Sequence, residues 1–381
     1  MKKCMKIALF TDTFHPQKNG VVVFLDQVLN RLSRDHEVLI VAPGLRPGIE
    51  MHGKVKVLWV RSVPFPFYKG YRISAISPRD VEKIIKKEKP DIVHSHAPVV
   101  LGVFALLAAR RLGIRSVATY HTHFEEYFPH LFVGFYPKFL KQASSFTTKK
   151  LVSHFYSKAD VVTAPSSEFV HILKSYGIKN TELLENGVEL GRLKGKIIDF
   201  RKKYSIPKEK KVALYLGRVS FEKKLGLLIN AFKKLDAILV IAGSGPYLDK
   251  CRKLAHGMKN VVFTGFVEES DLASIYRMGD VFVSASDTET FGLTFLEGMA
   301  CGLPIVCPKS PGISDLVEDK VNGLLFKPND LRDLQNCVMR LLGNKKMAAK
   351  MAVANRKKAG LFSMKQCCEK TVRLYRRLLD G

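Results

Sequence analysis

Lys211-Val212-Ala213-Leu214-Tyr215-Leu216 runs directly into Gly217-Arg218-Val219-Ser220-Phe221-Glu222-Lys223-Lys224. A short apolar run stopped by glycine reads as a strand, and the basic residues after it mark a loop at the strand's carboxyl end. The same unit recurs along the chain. In the first half the strand candidates are Lys6–Phe10, Glu37–Val41, Val55–Val60, Asp91–His94, Arg115–Thr119, Asp160–Ala164 and Thr181–Leu184. In the second half Ala237–Ala242, Val261–Thr264, Val281–Ser284 and Pro304–Cys307 join Lys211–Leu216. Amphipathic stretches lie between most of them, which is the pattern of parallel sheets covered by crossover helices. The fold class is therefore α/β.

A chain of 381 residues exceeds one ordinary core and suits two domains. Between the halves, Glu185–Pro207 loses its apolar periodicity and carries Gly187, Gly191, Gly195 and Pro207, as a linker would. The expected division is residues 1–190, 191–364, and a C-terminal helix over 365–381 that crosses back to the first domain. Ligands of open parallel sheets bind beyond the strands' carboxyl ends, so two such domains facing a central cleft would place their sites in it.

Hydrophobic residues at 46% and charged residues at 25% allow each half a real core and argue against disorder. Seven cysteines without a CxxC pair or ligand spacing read as reduced cytoplasmic thiols. Met5–Phe10 is too short for a signal-peptide core, and Ala97–Ala109 too short to span a bilayer. The net charge of +27 implies attraction to an anionic partner: nucleic acid, an acidic membrane surface or phosphorylated substrates. A generally lysine-rich surface is the alternative.

Chemistry is expected in the loops that follow strands. Glu289-Thr290-Phe291-Gly292-Leu293-Thr294-Phe295-Leu296-Glu297 comes after Val281–Ser284 and would put Glu289 at a helix mouth and Glu297 two turns along. A helix amino terminus favours a diphosphate, while a carboxylate can grip hydroxyls. A plain helix with an acidic first turn fits the same residues. Arg218 and Lys223 are candidates to neutralise a departing diphosphate, with Lys224 left to solvent. Gly243-Ser244-Gly245-Pro246 permits close backbone approach, as does Asn19-Gly20-Val21, and both also fit ordinary tight turns. His121 follows the strand Arg115–Thr119 and is a candidate to contact a sugar, with His123 less so. His94 and His96 offer no convincing metal spacing, and no Asp-x-Asp pair is present to hold a divalent ion.

In this order, Asn19-Gly20-Val21, His121, Gly217-Arg218 with Glu222-Lys223, Gly243-Ser244-Gly245-Pro246 and Glu289 with Glu297 resemble the large retaining glycosyltransferase family of GT-B fold. The resemblance implies two Rossmann-like domains, a nucleotide diphosphate sugar as co-substrate, retention of configuration, and neither metal nor further cofactor. It implies that Glu297 grips the ribose, that Glu289 lies near the donor sugar, that Arg218 and Lys223 meet the diphosphate, and that His121 faces the sugar from the other domain. Gly20, Gly243, Ser244, Gly245, Phe291, Gly292 and Leu293 complete the expected donor set. Val63-Pro64-Phe65-Pro66-Phe67-Tyr68, Gly70-Tyr71-Arg72 and Thr119-Tyr120-His121-Thr122 look like members that glycosylate diacylglycerol or related lipids, for which UDP-glucose is the favoured donor. Glu185-Asn186-Gly187-Val188 departs from the family in lacking proline before Asn-Gly, and Leu190–Lys196 is unusual.

A lipid acceptor also has support from composition. Tyr127, Phe128, Phe132 and Phe135 are followed by Lys141, Lys149 and Lys150, a mixture suited to an anionic membrane interface. A buried helix with a basic face suits it equally. The expected location is cytoplasmic, peripheral on the inner face of the membrane. The alternatives are a soluble or polyprenyl-linked acceptor, a nucleotide-sugar epimerase, a noncatalytic relative, and a basic nucleic-acid-binding protein. The last lacks a recognition helix, an RNA-binding sheet signature or a zinc finger, so no nucleic acid partner is expected.

Overall fold

The computed structural model describes residues 4–17, 19–65, 72–96, 99–121, 123, 148–195 and 197–381. The chain divides into two units, Met1–Asn186 with Met364–Gly381, and Gly187–Ser363.

The first unit holds β1 (Lys6–Phe10), β2 (Glu37–Gly44), β3 (Gly48–His52), β4 (Val55–Pro64), β5 (Arg72–Ser74), β6 (Ile92–Ser95), β7 (Arg115–Thr119), β8 (Val161–Ala164) and β9 (Thr181–Leu183). They form one sheet in the order β3-β4-β2-β1-β6-β7-β8-β9, with β5 on β4. Every pairing is parallel except those of β4 with β3 and β5. The edge strand β3 and the short β5 were not expected from sequence. All five residues of β3 are exposed, so it carries no apolar alternation to read. Helix Gly20–Leu32 starts where the Asn19 side chain accepts from the N–H groups of Val21 and Val22 at 3.0 and 3.1 Å. Ser77 caps helix Pro78–Glu88, whose first residue is proline. Helix Met364–Asp380 buries Met364, Cys367, Cys368, Thr371, Leu374 and Tyr375, a stripe at helical spacing. Lys370 and Arg377 of that helix pair with Glu185 and Glu182, at 2.7 and 2.6 Å.

The second unit holds β10 (Val212–Leu216), β11 (Ile238–Ala242), β12 (Val261–Gly265), β13 (Val281–Val283), β14 (Ile305–Pro308) and β15 (Gly323–Phe326), in the all-parallel order β12-β11-β10-β13-β14-β15. Residues of β10 are buried on both faces: Val212, Leu214 and Leu216 enter one apolar cluster, Ala213 and Tyr215 the other. That two-sided burial is why its sequence shows no polar alternation. The segment Glu185–Pro207 is not a free linker. Val188, Leu193, Phe200 and Ile206 are buried in the second unit's core, over a turn at Leu190–Lys194 and a short helix at Phe200–Lys203. Its wide apolar spacing hid this, because each turn supplies one anchor instead of a continuous face.

Among the described residues, no helix is long and apolar enough to cross a membrane.

Candidate functional site

In the second unit the strand order reverses direction between β10 and β13, one of which continues to β11 and β12, the other to β14 and β15. Side chains in the loops after these two strands are carried apart from the covering helices, and the crevice between such loops is the general ligand position of open parallel sheets. The loop after β10 carries Arg218 and Lys223; the loop after β13 carries Glu289.

These loops meet. Lys223 Nζ donates to Glu289 Oε1 at 2.7 Å, with each side chain about one-fifth exposed. Burial alone would lower the Lys223 pKa, but the Glu289 carboxylate and, more weakly, Glu222 hold it above its ordinary value, so the ammonium is charged. Glu222 is itself buried and takes a hydrogen bond from Ser220. Lys224 does not point to solvent as expected. Its backbone is left-handed at φ 51°, and its ammonium bonds Asp287 at 2.5 Å and Asn329 at 2.9 Å, a second tie between the two loops. Arg218 is half-buried, and its carbonyl accepts from the Tyr215 hydroxyl at 2.8 Å.

Glycines bring a third loop against them. A Cβ at Gly243 would stand 1.9 Å from the Gly217 carbonyl oxygen, and one at Gly245 would stand 2.3 Å from that of Val219. Hydrogen bonds from Gly217 N–H to Ala242 O (3.0 Å) and Val219 N–H to Ser244 O (2.9 Å) close the seam. Ser244 is exposed beside it. Gly312, in the turn after β14, backs the Glu289 carbonyl so closely that a Cβ would lie 1.6 Å from it. That support was missed in the sequence, where Pro311-Gly312 looks like any turn.

Glu289 lies outside the helix it was expected to open. Gly292, at φ 82°, is the residue before helix Leu293–Ala300, and Glu297 sits in that helix's second turn, a little closer to its start than expected. Phe291 is buried against Phe362, ring centroids 5.7 Å apart, and Leu293 packs on the same core. The buried Phe291 side chain therefore anchors the loop, while Leu293 is only partly buried. Glu297 is buried, 4% exposed; Tyr276 Oη donates to its Oε2 at 2.8 Å and Arg192 Nη1 to its Oε1 at 3.3 Å. Burial raises its pKa, while Arg192 and the Tyr276 hydroxyl act in the opposite direction. Arg192 was not singled out as a candidate; it stands 105 residues away in sequence.

In the first unit the order reverses between β1 and β6. The loops after these strands are joined by Asp12, whose buried carboxylate accepts the N–H groups of Val99, Val100, Leu101 and Gly102 at 3.0–3.2 Å. Burial raises the Asp12 pKa and the four backbone donors oppose it. Gly20 is the exposed first residue of its helix, with nothing within 4 Å of where a Cβ would stand. His121 joins a cluster: its Nε2 lies 2.9 Å from His96 Nδ1, the His96 and His94 rings lie tilted with centroids 3.9 Å apart, and His94 bonds Tyr375 Oη at 2.6 Å and Thr119 Oγ1 at 2.7 Å. Burial lowers the pKa of His94 and His121 to about 3 and that of His96 well below the usual range, so all three rings are neutral at pH 7. His123 packs edge-on against Phe169. Among the described residues no group of three His, Cys, Asp or Glu side chains is arranged to hold a metal ion. Tyr127, Phe128, Phe132, Phe135 and Lys141 lie outside the described residues. Lys149 and Lys150 are exposed on a helix over 148–156.

The family profile for glycosyl transferases group 1 matches residues 196–358, and that for glycosyltransferase family 4 matches residues 18–192. The chain is 31% identical to an alpha-monoglucosyldiacylglycerol synthase of Streptococcus pneumoniae, over 84% of this chain and 75% of that one. It is 30% identical to a GDP-mannose-dependent alpha-mannosyltransferase of Corynebacterium glutamicum, over 86% and 78%. The fold is similar to that of sucrose-phosphate synthase from Thermosynechococcus elongatus, with a TM-score of 0.80 at 21% identity over 98% and 99% of the two chains.

Proposed function

The chain belongs to the glycosyl transferases group 1 family and is a glycosyltransferase of GT-B fold, and on that premise we propose that it moves a hexose, with retention and without a metal, from a nucleotide diphosphate sugar to a membrane lipid. The observation that carries the donor half is the Lys223–Glu289 pair joining the loops after β10 and β13, with Arg218 in the first of them. When the sugar–phosphate bond breaks, charge builds on the leaving diphosphate; Arg218 and Lys223 stabilise it, and this contribution grows toward the transition state. Glu289 holds Lys223 and orients the sugar. Glu297 takes the ribose hydroxyls.

UDP-glucose and a diacylglycerol-type acceptor are the favoured pair. The pneumococcal relative's name supports that acceptor, and the aromatic and basic composition of residues 127–150 supports contact with an anionic membrane face. The corynebacterial relative is named for GDP-mannose, so the donor base belongs in the test. UDP-glucose, UDP-galactose, GDP-mannose and ADP-glucose should each be offered with diacylglycerol, phosphatidylinositol, polyprenyl phosphate and soluble sugars, following transfer and hydrolysis. Transfer from one donor to a lipid supports the reading. Transfer only to soluble sugars removes the lipid acceptor, and conversion of donor alone into an epimer removes transfer itself.

A further inference from the structure

Two hydrogen bonds decide which way the Glu297 carboxylate faces. Arg192 Nη1 approaches Oε1 at 3.3 Å from the turn Leu190–Lys194, and Tyr276 Oη approaches Oε2 at 2.8 Å from helix Leu272–Met278. The arginine is fixed at both ends. Its Nε bonds Glu269 at 2.5 Å, its side chain is 14% exposed, and the next residue, Leu193, is buried in the core. A carboxylate offers about four lone-pair directions, two on each oxygen. With one on each oxygen taken, one on each is left, side by side, which matches the two hydroxyls of a cis-diol.

We propose that Arg192, together with the Tyr276 hydroxyl, is a positioning residue that presents Glu297 to the ribose diol of the donor nucleotide. The proposal rests on the reading of Glu297 as the ribose-binding group. A carboxylate so buried would otherwise rotate about its last bond or take a proton, and a protonated oxygen ceases to accept. Burial does drive Glu297 toward the protonated form, and Arg192 is the largest influence against it; Glu269 adds to the burial effect. A lysine could supply the charge but not the fork, so the geometry needs arginine. An arginine that merely neutralised a buried carboxylate would matter for folding and leave hydroxyl recognition alone.

Isothermal titration of the full chain with UDP, GDP and ADP, and with the 2′,3′-dideoxy form of each, separates these roles. The wild type is expected to bind one ribonucleotide about tenfold to a hundredfold more tightly than its dideoxy form, the range for hydrogen bonds to a charged group. In Arg192→Met the ribonucleotide weakens to near the dideoxy level while dideoxy binding holds, so the ratio collapses; in Tyr276→Phe, which keeps the ring in the core, it falls part of the way. Circular dichroism and a thermal melt check folding, and Tyr276→Phe carries the test if Arg192→Met does not fold. A folded Arg192→Met or Tyr276→Phe protein with the wild-type ratio overturns the proposal. A different failure marks the underlying reading: a wild type that does not distinguish the dideoxy form, or a Glu297→Gln variant with an unchanged ratio, removes Glu297 from the ribose.

Discussion

Substituting Gly243 by alanine tests whether the donor site depends on contact between the loops after β10 and β11. The added methyl would lie 1.9 Å from the Gly217 carbonyl oxygen, in a residue whose φ is 138°. Carbon and oxygen approach no closer than roughly 3.3 Å, so the loops must separate by about 1.4 Å. Gly217 begins the loop that carries Arg218 and Lys223, and the opposing atom is backbone, so it cannot swing aside as a flexible side chain would. A displacement of about 1 Å in groups that position a reacting bond can cost about a hundredfold in rate. Gly257→Ala is the control. Gly257 also has positive φ, 78°, but nothing lies within 4 Å of its added Cβ, so it bears only the conformational strain of about 1–2 kcal/mol. Urea unfolding and transfer kinetics on the best donor from the panel are to be measured for both variants. Both should lose some stability, and Gly243→Ala alone should lose about two orders of magnitude in kcat/KM. A folded Gly243→Ala enzyme with the kcat/KM of the Gly257→Ala control would refute the reasoning.

Glu297→Ala should chiefly raise the donor KM and Arg218→Ala chiefly lower kcat, because ribose contact persists through the reaction while leaving-group charge peaks at the transition state; wild-type kinetics in both would remove the assigned donor site. EDTA should leave transfer nearly intact, and complete loss restored by magnesium or manganese would count against charge stabilisation by Arg218 and Lys223 alone. Sedimentation with anionic vesicles should be salt-sensitive, weakened toward acidic lipid by Lys141, Lys149 and Lys150→Gln and toward all lipid by Phe132 and Phe135→Ser; no binding by the parent protein would favour a soluble acceptor. The first unit should lose stability as pH falls. His94, His96 and His121 are neutral when folded, with pKa values depressed below the unfolded 6.5, so their contribution is present above pH 6.5 and is lost as pH falls toward about 3. Each proton taken up on unfolding is worth up to about 1.4 kcal/mol per pH unit. The single tryptophan, Trp59, lies in β4 and follows this unit alone; urea midpoints by its fluorescence that do not change between pH 7.5 and 5.5 would contradict the cluster's neutrality.

The two sheets were legible because a strand buried on both faces announces itself as an unbroken apolar run, as at Val212–Leu216 and Ile238–Ala242. Two strands escaped that signal: β3 is wholly exposed, and β15, although buried, is only the four residues Gly-Leu-Leu-Phe, too short a run to tell from a buried loop. Reading the ends of strands singled out Arg218, Lys223 and Glu289, each within a few residues of its strand, and the structure brings Lys223 and Glu289 together. It could not find Asp12, whose partners lie 87 to 90 residues away and are backbone amides without a side-chain signature. Nor could it find Arg192, which looked like part of a linker. Gly243 was visible as a glycine, but its need to be one depends on the carbonyl of Gly217 across the sheet, which no local pattern records.

The two glutamates of the Glu289–Glu297 segment are told apart by the cations they keep. Glu289 has a lysine, a compact charge on a flexible stem that three donors can turn toward any acceptor. On the proposed reading, an incoming diphosphate shares Lys223 with Glu289 without the carboxylate having to move, and the ion pair keeps the ammonium charged between the loops after β10 and β13. Glu297 has an arginine, whose planar fork bonds Glu269 with one nitrogen and Glu297 with another. That fork cannot turn toward a ligand without breaking both bonds. The difference suits their proposed tasks: charge that shifts during reaction is met by a mobile cation, and hydroxyls that stay in place from binding to release are met by a carboxylate held still. Exchanging the cations should not preserve both tasks. Lys223→Arg would bring a rigid fork where sharing is needed and should lower kcat more than it raises the donor KM, whereas Arg192→Lys would keep the charge beside Glu297 but release its orientation, and should raise the donor KM while leaving kcat nearly unchanged.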